Sequence, residues 1–280
     1  MSDRVRVGDV EIITLLDLDA PPREPAQFYP DVPPESWDKY KEYLDENGKF
    51  RTNFCGFVVV TPNENILVDT GYGPGPHAAF DNAKGAYIDN LKKVGLTPDD
   101  INTVINTHLH GDHIGWNIND EDGTAKPRFP NARYIIPQKD WDYFTGPDAA
   151  PERAAAVQKH VAPLTSTGRL EIVDGEYRVT PEIVTLPSPG HTPGHQCAAI
   201  TSKGEKGIIV GDLFHNPVQV EQPDWNVGAD IDKEKARESR MSLMNRFADE
   251  GFKVAAPHIV FNQNIGVVIK GEGKKYWQAL

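Results

Sequence analysis

One short stretch constrains this chain more than any other: His108-Leu109-His110-Gly111-Asp112-His113, entered directly from the β-branched run INTVINT. Residues i and i+2 of a strand face the same side, so His108 and His110 are placed to grip one ion where the strand ends. Gly111 is expected to turn the backbone sharply there. Asp112 and His113 then follow closely enough to serve a second ion. Neutral imidazole and carboxylate are the ligands that zinc and its first-row neighbours accept. The bland alternative is a chance cluster of surface histidines, and four such ligands in six residues at a strand end count against it.

Four ligands do not complete two coordination shells, so a fold that uses them must bring others to the same place. The chain offers them in similar contexts. PSPGHTPGH sets His191 and His195 in a Gly/Pro-dense loop between two strands, IIVGD ends a buried strand with Asp212, and VAAPH ends another with His258. Several strands delivering residues to one edge of a sheet would account for all of them. His215 follows Asp212 closely, while His77 and His160 fall outside these segments and read as solvated surface residues.

The rest of the chain supplies a scaffold of the right kind. At 280 residues, with 39% hydrophobic and 25% charged side chains, it can bury a sizeable core as one domain, 1–280. Strands are expected at VGDVEIITLLDLDA and in a hairpin, FVVV and ILVD around TPNEN. RYIIP, LEIVDG, YRVTPEIVTLP, QCAAIT, KGIIVGD and FKVAAPH are further strands. Ile88, Leu91 and Val94 mark a helix ending near Gly95, and Thr97, Pro98 and Asp100 form a capping-box turn. Ala236, Leu243, Met244, Phe247 and Ala248 share one face of a helix stopped by Gly251. Interleaved short strands and helices give an α/β or α+β class with a layered sheet core.

Residues 20–50 form a proline-rich, aromatic arm, with Trp37, Tyr40, Tyr43 and Leu44 at the spacing of a short amphipathic helix. It reads equally as an arm packed on the body and as a flap over a pocket, and it could serve a homodimer contact. Cys55 and Cys197 read as buried free thiols. The formal net charge of −12 argues against nucleic acid and anionic membranes as partners. MSDRVRVGDVEI has no secretory-type apolar stretch, and no run approaches the roughly 18 apolar residues of a membrane span. A cytoplasmic location is the expectation.

HLHGDH, followed by GHTPGH, GD and a late histidine, resembles the metallo-β-lactamase superfamily, and VDTG at Val68–Gly71 is similar to its first motif. The resemblance implies a four-layer αβ/βα sandwich with two metal ions at one edge. By the same resemblance His108, His110 and His191 would hold one metal, Asp112, His113 and His258 the other, and Asp212 would bridge both. Asp69 would orient ligands, and His195 would serve as a structural hydrogen-bonder. Zinc is the first expectation for both ions, with manganese, iron or cobalt compatible. HIGWN, FPNARY and GDLFHNPVQ further resemble the branch that holds lactonases and methyl parathion hydrolase. His215 departs from typical acyl-homoserine lactonases, which carry a tyrosine there, so that substrate does not carry over with the motif.

The function implied is a binuclear hydrolase in which a bridging hydroxide attacks a lactone or carboxylic ester of a small neutral molecule. Asp112 or Asp212 would move the proton, and His215 would donate a hydrogen bond. Trp116, Phe214, Trp225 and Phe261, with Phe28, Tyr29 and Trp37 from the arm, are candidate pocket walls, although core packing is the commoner fate of each. Phosphotriester or aryl ester hydrolysis is one alternative. A thioesterase is another, but its family carries a helical domain where only 22 residues follow His258. A mononuclear iron persulfide dioxygenase on the same fold would leave the second ligand set unused.

Overall fold

The computed structural model describes residues 3–280. Its first sheet contains β1 (Arg4–Val7), β2 (Val10–Asp19), β3 (Asn53–Val60), β4 (Asn65–Val68), β5 (Thr103–Ile105), β8 (Arg133–Pro137) and β9 (Leu170–Val173), in that order. A small pair, β6 (Ile118–Asn119) and β7 (Lys126–Pro127), stands outside it. The second sheet runs β10 (Tyr177–Arg178), β11 (Ile183–Pro187), β12 (Gln196–Ser202), β13 (Glu205–Ile209), β14 (Lys253–Ala255), β15 (Ile265–Gly271) and β16 (Lys274–Ala279).

Period-two alternation tells each strand which way to face. Phe57 and Val59 of β3, Ile66 and Val68 of β4 and Ile105 of β5 point to the second sheet, meeting Ile200, Ile209 and Ala255. Their neighbours Val58, Leu67 and Val104 point outward, under the Tyr87 and Leu91 rings and chains of α2 (Tyr87–Lys93). Because β4, β5 and β8 are parallel and covered on both faces, they read as continuous apolar runs. The far side of the second sheet is covered by α7 (Lys233–Glu250) through Met244 and Phe247. Helices therefore cover both outer faces of a packed sheet pair, the αβ/βα sandwich.

The ends of α7 follow local chemistry. Asp232 accepts the backbone N–H of Lys235, and Gly251 closes the helix at φ 68°. Thr97 and Asp100 make the capping box in a single 3-10 turn. The arm departs from the expected helix: Pro34–Lys39 and Lys41–Tyr43 are two 3-10 turns. Tyr40 leaves helical backbone between them, at φ −133° and ψ 28°, and its ring meets Trp225 at 5.4 Å. Sequence periodicity also passed over α4 (Gln138–Thr145), α5 (Pro151–His160) and the β15–β16 hairpin. Two short helical turns, α1 (Pro25–Phe28) and α3 (Gly111–Ile114), precede these, and α6 (Val218–Glu221) precedes α7. Cys55 and Cys197 are buried and free. No helix among the described residues is long and apolar enough to cross a membrane.

Candidate metal centre

The segments singled out for their ligands all leave strands of the central sheets and meet at one edge. β5 ends at Ile105, so His108 and His110 lie beyond the strand rather than within it, His108 in a bend and His110 in extended backbone, and α3 carries Asp112 and His113. Gly111 opens that helix rather than forming a left-handed turn, since its φ is not positive, and a Cβ there would meet only Ala156 at 3.6 Å. Asp212 follows β13 in a 3-10 turn whose Gly211 has φ +51°. A side chain at Gly211 would run into His195 Nε2 and Thr107 Oγ1, both 2.7 Å from its Cβ. That glycine is what lets Asp212 sit so close to the histidine segment.

The seven donors fall into two sets. In the first, His110 Nδ1 is 3.1 Å from His108 Nε2 and 3.0 Å from His191 Nε2. Asp212 Oδ2 is 3.0 Å from His191 Nε2 and 3.7 Å from His108 Nε2. In the second, Asp212 Oδ1 is 3.1 Å from His113 Nε2 and 3.0 Å from His258 Nε2, and Asp112 Oδ2 is 3.6 Å from both imidazoles. Donors about 2 Å from a tetrahedral cation stand roughly 3.3 Å from one another. Both sets have that spacing, and Asp212 gives one oxygen to each.

Hydrogen bonding alone leaves this arrangement unsatisfied. His113 Nε2 and Asp212 Oδ1 are buried and close, yet neither has a hydrogen-bond partner. Leaving such groups bare costs about 1–3 kcal/mol each, and a cation between them would remove the cost. The electrostatics agree. Burial, then His113, pushes the His108 imidazole well below its ordinary value. Burial resists charge on His113, but Asp212, Asp69 and Asp112 hold it well above. His191 likewise overcomes burial through Asp212 and Asp230, reaching about 9. Imidazoles crowded this tightly around two carboxylates form a cation-binding donor set.

A second layer fixes the rings. His113 Nδ1 lies 2.8 Å from Asp69 Oδ2, and Asp69 in turn accepts the Thr107 backbone N–H and hydroxyl. His258 Nδ1 is 3.0 Å from the Asn53 carbonyl. His195 Nε2 accepts the Asp212 backbone N–H at 2.9 Å, and its Nδ1 meets Ser188. His191 Nδ1 meets Asp230 Oδ1 at 2.8 Å, and the fully buried Arg240 binds Asp230 Oδ2. Sequence reading missed both Asp230 and Arg240. The available signal was an arginine at the Ala236–Met244 spacing of the apolar face of α7.

The donors open into a cleft of about 510 Å³. His215 lines it, with Nε2 3.1 Å from Asp212 Oδ2 and its ring stacked on His258 at 5.0 Å. The aromatic walls are Phe28, Phe54, Tyr72 and Phe80, and Arg23 and Arg153 also face the cleft. Of the aromatics expected there, only Phe28 is present. Tyr29 and Trp37 pack with Trp225 in the arm's own cluster, Phe214 packs in the α7 core, and Trp116 is buried with its indole N–H on Asp17. Phe261 is not among the lining residues. The arm packs on residues 218–229, and its Arg23, Gln27 and Phe28 also line the cleft. Another hollow, about 610 Å³ and lined by Glu24, Trp37, Asp38 and Lys41, holds none of the histidines. His77 and His160 are half-buried, not solvated: His77 Nε2 bonds the Gly73 carbonyl, and burial pushes His160 down to about 4.

Residues 48–258 match the family model of the metallo-beta-lactamase superfamily. An N-acyl homoserine lactonase from Bacillus thuringiensis is 27% identical over 172 residues, covering 55% of this chain and 60% of the relative. The N-acyl homoserine lactonase AttM of Rhizobium radiobacter is 29% identical over 126 residues, 44% of each chain. The match therefore spans about 60% of the length of the first of these relatives. Among solved structures, the hydrolase AbOPH of the beta lactamase superfamily superposes with a TM-score of 0.85 at 28% identity, over 100% of this chain and 98% of its own. The dizinc quorum-quenching lactonase AidC has the same fold, with a TM-score of 0.82 at 24% identity over 99% and 96% of the two chains.

Proposed function

The chain belongs to the metallo-β-lactamase superfamily, and from that premise we propose that it is a metal-dependent hydrolase of lactones or carboxylic esters that uses two divalent cations. His108, His110 and His191 would hold one cation and Asp112, His113 and His258 the other, with Asp212 shared. The observation that carries this reading is the division of the Asp212 carboxylate, Oδ2 to the first donor set and Oδ1 to the second. Cations bound in such a pair activate water near neutral pH and polarise a carbonyl oxygen. The lactonase names of the curated relatives support the choice of electrophile.

The chain's own residues account for the remaining work. Hydrolysis adds water across the acyl C–O bond: the hydroxyl goes to the carbonyl carbon, and one proton goes to the departing alkoxide. Asp112, whose side chain keeps 19% exposure at the cleft, would take that proton on the carboxylate oxygen it does not give to the second donor set and pass it on. His215 stays neutral because burial lowers its imidazole, so it serves as a hydrogen-bond donor from Nε2 beside Asp212. Asp69 and Asp230 hold two ligand imidazoles in fixed tautomers.

The test is metal content together with a panel of lactones, aryl esters, phosphotriesters, β-lactams and glutathione thioesters. Two equivalents of metal and preferential turnover of lactones or esters are expected. One equivalent with persulfide oxidation, or phosphotriester turnover without ester turnover, would reject the reading. His215→Ala should lower kcat by about 100-fold or more with metal content intact, and wild-type rates would remove it from the mechanism.

A further inference from the structure

Two arginines line the cleft, and the site described so far gives them nothing to do. Most arginines of this chain pair with a carboxylate, as Arg128 does with Glu121 and Arg240 with Asp230. Arg23 and Arg153 form no ion pair among the described residues, although acidic side chains outnumber basic ones, 41 to 29. Arg23 is held over two rings instead, 5.7 Å from the Phe28 centroid and 5.2 Å from that of Phe80. Those contacts fix the guanidinium by its faces and leave its N–H edges free. Arg153 sits in the first turn of α5, where the helix dipole disfavours a cation.

The two reach the cleft from different elements. Arg23 comes from the arm: burial, then Asp112, raises the Tyr72 phenol, and Arg23 acts against them. Arg153 comes from α5, which packs on Gly111 through Ala156. It lines the cleft beside His110 and Gly111. Among the described residues, Asp112 and Asp212 are the carboxylates that line the cleft, and both belong to the donor sets. The uncommitted charge there is therefore positive, inside a protein whose overall charge of −12 repels anions.

Resting on the lactone or ester reading above, we propose that the substrate carries a carboxylate remote from the scissile bond and that Arg23 and Arg153 seat it. Net charge alone favoured a neutral substrate; the cleft walls reverse that preference locally. Guanidinium edges suit a planar carboxylate, and with the opposite end held, the acyl group is presented to the cations in one orientation.

The experiment compares two matched ligand pairs on the metal-loaded protein. Calorimetry measures adipate against hexanoate, and kinetics measure the monophenyl ester of adipic acid against phenyl hexanoate. Wild type should favour the member with the extra carboxylate by about tenfold or more in each pair, and the preference should shrink with added salt. Arg23→Met and Arg153→Met should each remove most of the preference, while the Lys variants keep part of it. Equal binding of adipate and hexanoate by wild type overturns the proposal. So does an equal fall for both members of each pair in the Met variants, which would tie the arginines to the reacting atoms. If a Met variant does not fold, salt dependence in the Lys variants decides. Should neither ester be cleaved, the hydrolase reading fails and the calorimetry still judges the arginines.

Discussion

Two imidazoles of the metal centre, His113 and His191, are braced in the same way by different means. Each presents Nε2 to the donor cluster and Nδ1 to a carboxylate at 2.8 Å. Asp69 braces His113 from the end of β4, in left-handed backbone at φ 59°, and is itself held by the neutral donors of Thr107. Asp230 braces His191 from the loop before α7, held by Val227 N–H and the buried guanidinium of Arg240. A sheet end is rigid enough that neutral hydrogen bonds suffice to aim a carboxylate. A loop lacks that rigidity, and here a buried ion pair anchors it to a long helix. The anchor has a cost, since both charges are fully desolvated.

The comparison breaks most completely at the residue both halves share. Asp212→Ala should empty both donor sets, reducing bound metal from two equivalents to below one by elemental analysis, with hydrolysis near background. If one full equivalent survived, the two sets would not depend on a common carboxylate. Arg240→Met comes next. It leaves the buried Asp230 with only His191 and the Val227 N–H, and losing one partner of a buried ion pair costs about 3–5 kcal/mol. Denaturant unfolding should show that loss, together with weaker binding at the His191 set. A loss below about 1 kcal/mol would mean that the loop does not need its anchor.

A smaller effect separates the two braces. Asp69→Asn and Asp230→Asn should each weaken metal binding by about 10–100-fold, but in different sets. Titration with cobalt should show the weak site in the His113 environment for the first variant and in the His191 environment for the second. Identical spectra for the two would mean that the cluster responds as one unit.

The same contrast explains what the sequence made legible. His108 to His113 are contiguous, and Asp69 sits in VDTG at a strand end, so local pattern exposes one half of the centre. Asp230 lies in a loop with no period, and Arg240 looks like an exception on an apolar helix face. Their roles exist only once α7 packs on the second sheet. Cleft walls were illegible for a similar reason: nearness in sequence to a ligand made Trp116 and Phe214 candidates for the walls, and packing gives both the commoner fate, the core. Phe54 and Phe80 reach the cleft from segments that carry no ligand at all. The strands were legible because burial on one or both faces writes itself into the hydrophobic pattern.

The smallest expected effect uses a histidine with no ligand duty. His160 ends α5 half-buried, and burial followed by Lys159 lowers it to about 4, against an ordinary value near 6.5. Because the folded value is the lower one, its contribution to stability is complete above about 6.5 and is lost as pH falls through the window toward about 4. Loss of the proposed cations would also destabilise the protein over that range, so the useful quantity is the difference in Tm between wild type and His160→Gln. That difference should favour wild type least at the acid end, where the wild-type protein must bury a proton and the variant need not. A Tm difference that stays flat from pH 7 to pH 4 would show that His160 titrates as a solvated group.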